Sequence, residues 1–185
     1  MSRSSRRVVL PVLLVLAVLA GVGLFLFQPW KAFTDTTVEE SLPGAAVPAA
    51  SSGPTAGGPS RTGGGMPPAG PRDLAKGRFV SHEHDTGGSA RTVRLADGSR
   101  VLRFEDLKTS EGPDVRVYLS TRDPGAVKAG LADGAVELGR LKGNLGNQNY
   151  PIPADIDLTR YRSAVIWCAR FSVSFGAAGL APVKG

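Results

Sequence analysis

The sequence is poor in cysteine and histidine, the residues that most often build metal and redox centres. Its 185 residues include one cysteine, Cys168, and two histidines, His82 and His84. A single cysteine excludes a disulfide within the chain, a paired-cysteine zinc motif and an attached c-type haem, which needs Cys-x-x-Cys-His. A bacterial lipoprotein anchor is excluded as well, because no cysteine follows the N-terminal apolar run.

Motifs for common catalytic and nucleic-acid sites are also missing. The sequence contains no Ser/His/Asp nucleophile motif and no phosphate-binding glycine loop. Its net charge is +6, but after Lys76 the basic residues are interleaved with acidic ones and form no basic stripe with aromatics. The sequence therefore predicts that nucleic acid is not a partner.

The N-terminus carries a membrane signal. Arg3, Arg6 and Arg7 precede an uncharged apolar run at residues 8–27. A helix needs about 20 such residues to cross the hydrocarbon core of a bilayer, so we predict an uncleaved signal anchor with a single transmembrane helix. The positive-inside rule then places residues 1–7 in the cytoplasm and the rest of the chain on the extracytoplasmic side of the cell membrane.

Two other interpretations of this segment stay open. Ala17 and Ala20 are small enough for a signal-peptide cleavage site, but a signal peptide has a shorter apolar region of about 7–15 residues. The run Ser5–Leu10 resembles a twin-arginine export signal, which carries folded, cofactor-loaded domains. The length and apolarity of residues 8–27 favour the anchor over both.

Residues 28–76 differ in composition from what surrounds them. Trp30 and Lys31 stand where interfacial anchors of a span occur. From about Ser41 to Ala75 the chain is dominated by Gly, Pro, Ala, Ser and Thr and cannot bury enough apolar surface to offset the entropy of ordering. We predict a disordered extracytoplasmic linker, a tether that holds the following domain clear of the membrane.

Residues 77–183 have the pattern of one all-β domain, a single β-sandwich or a barrel-like fold. Apolar and polar residues alternate in Val115–Leu119, as in a half-buried strand. Asp97-Gly98 is a tight hairpin signal between two further strands. More strands are predicted at residues 136–141, 149–152 and 164–175, and one short helix at residues 124–132.

Four blocks of this domain carry a family resemblance. They are Leu95–Phe104, Gly112–Ser120, Leu138–Tyr150 and Ile166–Val173. In order and spacing they resemble the electron-transfer DM-thirteen domain family over about residues 77–180. The resemblance implies a β-rich extracytoplasmic domain, sometimes found beside haem-binding DOMON modules. It also implies a redox role, proposed for the family because of a cysteine that Cys168 matches here.

Cys168 has three interpretations from the residues alone. On a regular strand it shares a face with Ile166, Arg170 and Ser172, opposite a more apolar face that contains Trp167. A nearby Arg170 would lower the pKa of the thiol and favour the thiolate, which attacks disulfides or binds metal. A small buried hydrophobe is the second interpretation, and pairing between two chains is the third.

The two histidines are candidate ligands. On a strand, His82 and His84 would point the same way, and together with Cys168 they would supply the two imidazoles and the thiolate of a blue-copper site. Non-covalent haem held by Cys168 or a histidine is the other cofactor interpretation. His84 is the histidine at the position that matches the family, and solvated turn histidines are the alternative. Met66 lies in the predicted linker and makes a poor axial ligand.

Whether the chain is an enzyme stays open from the sequence, which favours either of two module functions over a catalyst with turnover of its own. The first is a membrane-anchored redox or electron-transfer domain centred on Cys168, as a thiol or as a ligand of haem or copper, with a redox partner protein. The second is a noncatalytic cell-envelope binding or adhesion module that recognises an envelope polymer and in which Cys168 is structural.

Overall fold

One α-helix and ten strands are formed by residues 3–27, 34–44 and 70–183, the part of the chain that the computed structural model describes. The all-β prediction for the domain is confirmed. The helix is α1 (Arg3–Phe27), and the strands are β1 (Thr37–Glu39), β2 (Arg72–Ser81), β3 (Gly87–Arg94), β4 (Arg100–Lys108), β5 (Val115–Ser120), β6 (Val136–Arg140), β7 (Leu145–Ile152), β8 (Ser163–Cys168), β9 (Val173–Gly179) and β10 (Ala181–Pro182).

The strands make one continuous sheet in the order β1-β7-β4-β3-β2-β9-β8-β5-β6, with β10 beside β2. Strand β2 is shared between two halves, since its residues 72–78 pair with β3 and its residues 79–81 pair with β9. The sheet curls about this strand into a half-barrel. The predicted sandwich or barrel is therefore an open, curled sheet whose edge strands are β1 and β6.

A single main core fills the space between the two halves. Strands β2 to β5 and β7 to β9 supply nearly all of its buried residues. The predicted alternation in Val115–Leu119, with its period of two, is confirmed by the burial of Val115, Val117 and Leu119. A second, smaller cluster lies on the other face of β8, where Val165 and Trp167 pack with Val127. The buried members of the main core include Phe79, Leu102, Phe104, Leu107, Tyr150, Ile152, Ile166, Cys168, Phe175 and Leu180.

The local turn predictions are confirmed in part. The Asp97-Gly98 turn joins β3 to β4, with Gly98 at φ 85 and a hydrogen bond of 2.8 Å from the backbone N of Leu95 to the carbonyl of Ser99. The predicted helix at residues 124–132 is a shorter 3-10 helix, Pro124–Ala129. The predicted strand at residues 164–175 is instead the hairpin of β8 and β9.

Strand β1 lies inside the stretch that the sequence predicts to be linker. It pairs in parallel with β7, from Thr37 opposite Leu145 to Glu39 opposite Asn147. The predicted linker at residues 28–76 thus differs from the structure at residues 34–44 and at the start of β2, Arg72. Residues 28–33 and 45–69, with Trp30, Lys31 and Met66, lie outside the described residues.

Polar contacts explain why so short a strand docks. The carboxylate of Glu40 accepts hydrogen bonds from Lys142 Nζ at 2.6 and 2.9 Å and from the backbone N of Asn149 at 2.7 Å. Partial burial raises the pKa of Glu40, but these bonds outweigh it and hold the pKa below its usual value. Arg103 adds a bond of 2.9 Å to the carbonyl of Glu40. Charge-assisted bonds of this kind are among the stronger ones in proteins, and they fix the segment on the sheet edge.

The N-terminal helix α1 includes the predicted span at residues 8–27. Within the described part of the chain, no helix has both the length and the hydropathy required to cross a membrane. The helical part of the prediction is confirmed, and the membrane-crossing part is not.

Gly77 lies where β2 passes from one half of the sheet to the other. A Cβ at this position would overlap the carbonyl oxygen of Gly179, at the end of β9. Only a residue without a side chain lets two backbones come this close. The curl of the sheet therefore depends on glycine at residue 77.

We expect Gly77→Ala to lower the free energy of unfolding by about 1–3 kcal/mol or more, because β2 or β9 must shift to admit the methyl group. Gly125→Ala is the matched control, since a Cβ there meets no heavy atom within 4 Å and should change stability by less than about 1 kcal/mol. Denaturant unfolding followed by circular dichroism measures both. Equal stability of the two variants would show that the close approach does not constrain the fold.

Candidate functional site

Cys168 is the last residue of β8, and the fold places it inside the main core. It pairs with Val115 of β5 on one side and with Val173 of β9 on the other. Its thiol is free, and its exposed fraction is 0 %. Fully buried among aliphatic and aromatic side chains, it packs as a small hydrophobe does.

The predicted face of Cys168 is right for Ile166 and wrong for Arg170 and Ser172. Because β8 ends at Cys168, residues 169–172 form the turn to β9, where Arg170 and Ser172 are exposed. The face shared by Ile166 and Cys168 belongs to the main core, and the Trp167 face belongs to the smaller cluster. The expected pairing of a surface thiol with Arg170 is therefore not found.

Arg170 instead belongs to the surroundings of Asp114. Hydrogen bonds from Arg116 are the main reason that the pKa of Asp114 lies below its usual value, and the charges of Arg140 and Arg170 add to this effect. The Arg116 guanidinium also reaches Glu137 at 2.8 Å. Asp114 is therefore an ion-paired carboxylate at the start of β5.

The two histidines lie in the connection between β2 and β3 and not on a strand. His82 Nδ1 shares a hydrogen bond of 2.7 Å with Ser174 Oγ. The His84 ring packs against Phe175, with 3.9 Å between the ring centroids. The predicted alignment of both imidazoles on one strand face is wrong, because β2 ends at Ser81 and the chain bends there.

No group of three or more His, Cys, Asp or Glu side chains in residues 3–27, 34–44 and 70–183 could hold a metal ion. The set of His82, His84 and Cys168 is therefore not brought together as a copper site. The physical reason is that the two side chains are on different faces of the sheet. Cys168 is sealed in the main core, whereas His82 is hydrogen-bonded to Ser174, which is paired with Trp167 on the other face of β8.

His82 is the histidine whose electrostatics the fold changes. Burial lowers the pKa of His82, the nearby Lys128 lowers it further, and Glu83 and the carbonyl of Pro124 only partly oppose them. Its Nε2 is buried and has no hydrogen-bond partner of good geometry in the described part of the chain. The neutral imidazole is therefore favoured.

The Asn- and Gln-rich block around β7 has a structural role that the sequence alone does not predict. Gln148 Nε2 donates to the carbonyl of Gly143 at 2.7 Å, and Tyr150 Oη donates to Gln148 Oε1 at 2.6 Å. Gln148 is fully buried, so these bonds satisfy groups that would be costly to leave unpaired. Asn144 likewise binds Asp35 and the carbonyl of Thr109. The block fixes the segment before β7 and the docked N-terminal strand.

A cavity of about 890 Å³ opens beside β2, away from Cys168 and both histidines, none of which lines it. Its residues come from β2, β3, β4, β9 and β10, from the connection after β5 and from the segment between β7 and β8. We call it the basic cavity because its lining includes five basic and two acidic residues. They are Lys76, Arg78, Arg94, Arg100 and Arg162, with Asp123 and Asp157.

We expect the thiol of Cys168 to react with a disulfide reagent at least about 1,000-fold more slowly in the folded chain than in denaturant, because access requires an opening that costs about 4 kcal/mol. The measurement is the rate of thiol labelling with and without denaturant. Cys168→Ala should remain folded and lose about 1–2 kcal/mol of stability, the cost of a small cavity.

A matched control places a thiol on the turn that follows β8. Arg170→Cys in a Cys168→Ala background introduces a thiol at an exposed position, which should react at the rate of a free cysteine. Labelling of native Cys168 at this same rate would contradict the buried site and restore the interpretation of a surface thiol.

Comparisons with known proteins agree with the β domain. A family model described as electron transfer DM13 matches residues 78–180, more than half of the 185 residues. No curated protein and no solved structure matches the chain. The match contains β3 to β9, the last four residues of β2, and Cys168. The resemblance seen in the sequence is therefore confirmed, and this chain belongs to the electron transfer DM13 (DM-thirteen) family.

Proposed function

We propose that the β domain has a role in electron transfer, as a module and not as an enzyme with turnover of its own. The observation that carries the proposal is the family match at residues 78–180. The match begins inside β2 and ends just after β9. We therefore assign the role that the family description names to the β domain and not to α1.

Within this role we assign Cys168 to packing and not to exchange at the protein surface. Thiol chemistry needs an accessible thiolate, and the side chain of Cys168 is 0 % exposed. Direct attack on a partner disulfide would require the core to open first. Electrons then pass by way of a bound group or a partner protein, without a native thiol–disulfide exchange at residue 168.

The copper and haem interpretations from the sequence do not fit the residues. A blue-copper centre needs two imidazoles and a thiolate around one ion, and the described residues contain no such group. The sequence interpretation places haem on Cys168 or a histidine, but Cys168 is fully buried in the main core, and neither it nor a histidine lines the basic cavity. No step of the proposal runs through copper or haem.

A noncatalytic binding module of the cell envelope is the second candidate function. It is favoured by the combination of a sealed thiol with a cavity of about 890 Å³, which is the size of a small-molecule or polymer-end site. In this case Cys168 is a core residue only, and recognition belongs to another surface of the domain.

The two functions predict different properties of the purified full chain. Electron transfer predicts a redox-active group that copurifies and is reduced reversibly in a spectroelectrochemical titration, with the same midpoint potential in Cys168→Ala. A colourless, metal-free chain that takes up no electrons would overturn the first function and favour the second. Loss of the group in a stably folded Cys168→Ala variant would instead assign Cys168 to the redox site.

We also propose that α1 anchors the domain in the membrane, with the domain on the extracytoplasmic side. The support is the uncharged apolar run at residues 8–27 behind Arg3, Arg6 and Arg7. Residues 28–33 are all that lie between α1 and the docked segment at residues 34–44. A chain of this length spans at most about 25 Å, so the anchor would hold the domain near the bilayer and not far from it.

Cell fractionation tests the anchor. The full chain should stay with membranes after alkaline carbonate washing, and protease added to the extracytoplasmic side should digest the β domain. A chain released by carbonate, or a domain accessible only from the cytoplasmic side, would rule out the proposed anchor or its orientation.

A further inference from the structure

We propose that the basic cavity binds a small organic anion with an apolar body. Its volume of about 890 Å³ falls within the range of about 300–1,000 Å³ that is usual for small-molecule sites. The inference stands on the cavity's own residues and does not depend on the electron-transfer role. It requires a cationic mouth, an apolar wall and a polar group inside, and the lining supplies all three.

A row of three arginines stands at one end of the sheet. Arg72 of β2 is opposite Arg94 of β3, and Arg94 is in turn opposite Arg100 of β4. Like charges at directly opposed positions on neighbouring strands repel each other. An anion bound beside Arg94 and Arg100, which both line the cavity, would relieve this repulsion.

Arg94 shares a face of β3 with Thr92 and is free to meet a ligand. Arg100 is fixed in place, because it donates to the carbonyls of Pro153, Ala154 and Ile156 at 2.8, 2.9 and 2.8 Å. By contrast, three lining residues have exposed side chains that make no ion pair or hydrogen bond within the described part of the chain. They are Lys76, Arg78 and Arg94.

The acidic residues of the lining are already engaged. Asp123 pairs with Arg162 at 3.3 Å. Asp157 accepts hydrogen bonds from the backbone N and the hydroxyl of Thr159, at 3.0 and 2.7 Å. The excess positive charge of the cavity is therefore carried by groups without acidic partners, which selects an anion over a cation.

The wall of the cavity selects the body of the ligand. Apolar side chains line it beside the charges, among them Leu74, Leu158, Leu180 and Pro182. Each methylene group buried against such a wall strengthens binding by roughly fourfold. A bare inorganic anion would use only the charges, whereas a carboxylate with a hydrocarbon chain would use both parts.

Thr92 supplies the polar group inside. Its side chain lines the cavity and is only 2 % exposed, and its hydroxyl has no hydrogen-bond partner in the described part of the chain. A buried hydroxyl without a partner is unfavourable. A carboxylate oxygen of the ligand would accept the hydrogen bond that Thr92 lacks, after rotation about χ1 of the side chain.

Calorimetric titration of the full chain in a non-ionic detergent tests the proposal, with sodium octanoate as the probe and titration into detergent alone as the blank. Octan-1-ol has the same body without the charge, and acetate has the charge without the body. We expect octanoate to bind at one site at least about 10-fold more tightly than either control. Equal binding of octanoate and octanol, or of octanoate and acetate, would overturn the proposal.

Variants locate the binding. Arg94→Gln should weaken octanoate binding by about fivefold at low salt, and Thr92→Val should weaken it similarly without loss of thermal stability, since it removes an unpaired buried hydroxyl. Lys108→Gln is the matched control, since it makes the same change of charge at an exposed side chain. Lys108 lies at the end of β4 that is far from the cavity residue Arg100. An unchanged affinity in Arg94→Gln, or an equal loss in Lys108→Gln, would refute the assigned site.

The length of the hydrocarbon chain of the fatty-acid probe distinguishes between two sources of the ligand. Affinity that keeps rising from octanoate to dodecanoate would support a lipid-derived acid, and an optimum at octanoate or hexanoate would support a soluble metabolite. Both outcomes are consistent with an amphipathic anion. Binding that does not depend on chain length would contradict the role of the apolar wall.

Discussion

The structure of the domain depends on one strand that belongs to two half-sheets. The first part of β2 pairs with β3, and its last three residues pair with β9. This change of partner strand is possible because the backbones at Gly77 and Gly179 come so close that no side chain fits between them. The same change of partner strand brings β4 and β7 over β5 and β8, seals the core in which Cys168 lies, and leaves the basic cavity beside β2.

Local patterns in the sequence predict much of this sheet. Alternation in Val115–Leu119 and the Asp97-Gly98 turn are short-range signals, and both predict the observed structure. Strand β1 has no such signal, because its pairing with β7 depends on Lys142 and Asn149, which lie about a hundred residues away from Glu40. Long-range charge pairs of this kind cannot be read from composition, which in this region favours disorder.

The site residues show a different limit of sequence reasoning. A period of two assigns residues to two faces of a strand but does not say which face is buried in the main core. In the sequence the Trp167 face is the more apolar one, yet the Cys168 face belongs to the main core. The sequence does not predict the turn after β8, because Ala169, Arg170 and Phe171 carry no turn signal. Ser172 adopts φ 53, a conformation that usually indicates glycine or asparagine. Once the strand ends at Cys168, the proposed partnership with Arg170 is lost.

The basic cavity could not be predicted for a related reason. Its charges come from segments that are distant in sequence, and in the linear chain they are interleaved with acidic residues, a pattern that suggests a solvated face. Only the register that sets Arg72, Arg94 and Arg100 side by side reveals a concentration of one sign. The functional information of this chain thus lies more in the pairing of its strands than in any short motif.

The docking of β1 also fixes a length. With residues 34–44 held on β7, the domain is attached to α1 through residues 28–33, so these six residues limit the distance between α1 and the domain. If α1 is the proposed anchor, a pull on the domain would first load the contacts of Asp35 and Thr36 with Asn144. The parallel β1–β7 hydrogen bonds and the Glu40–Lys142 pair would be loaded next. Release of β1 would lengthen the segment between α1 and the first strand that stays paired from residues 28–33 to residues 28–71. The pairing of β1 with β7 therefore sets how far the domain can move away from α1.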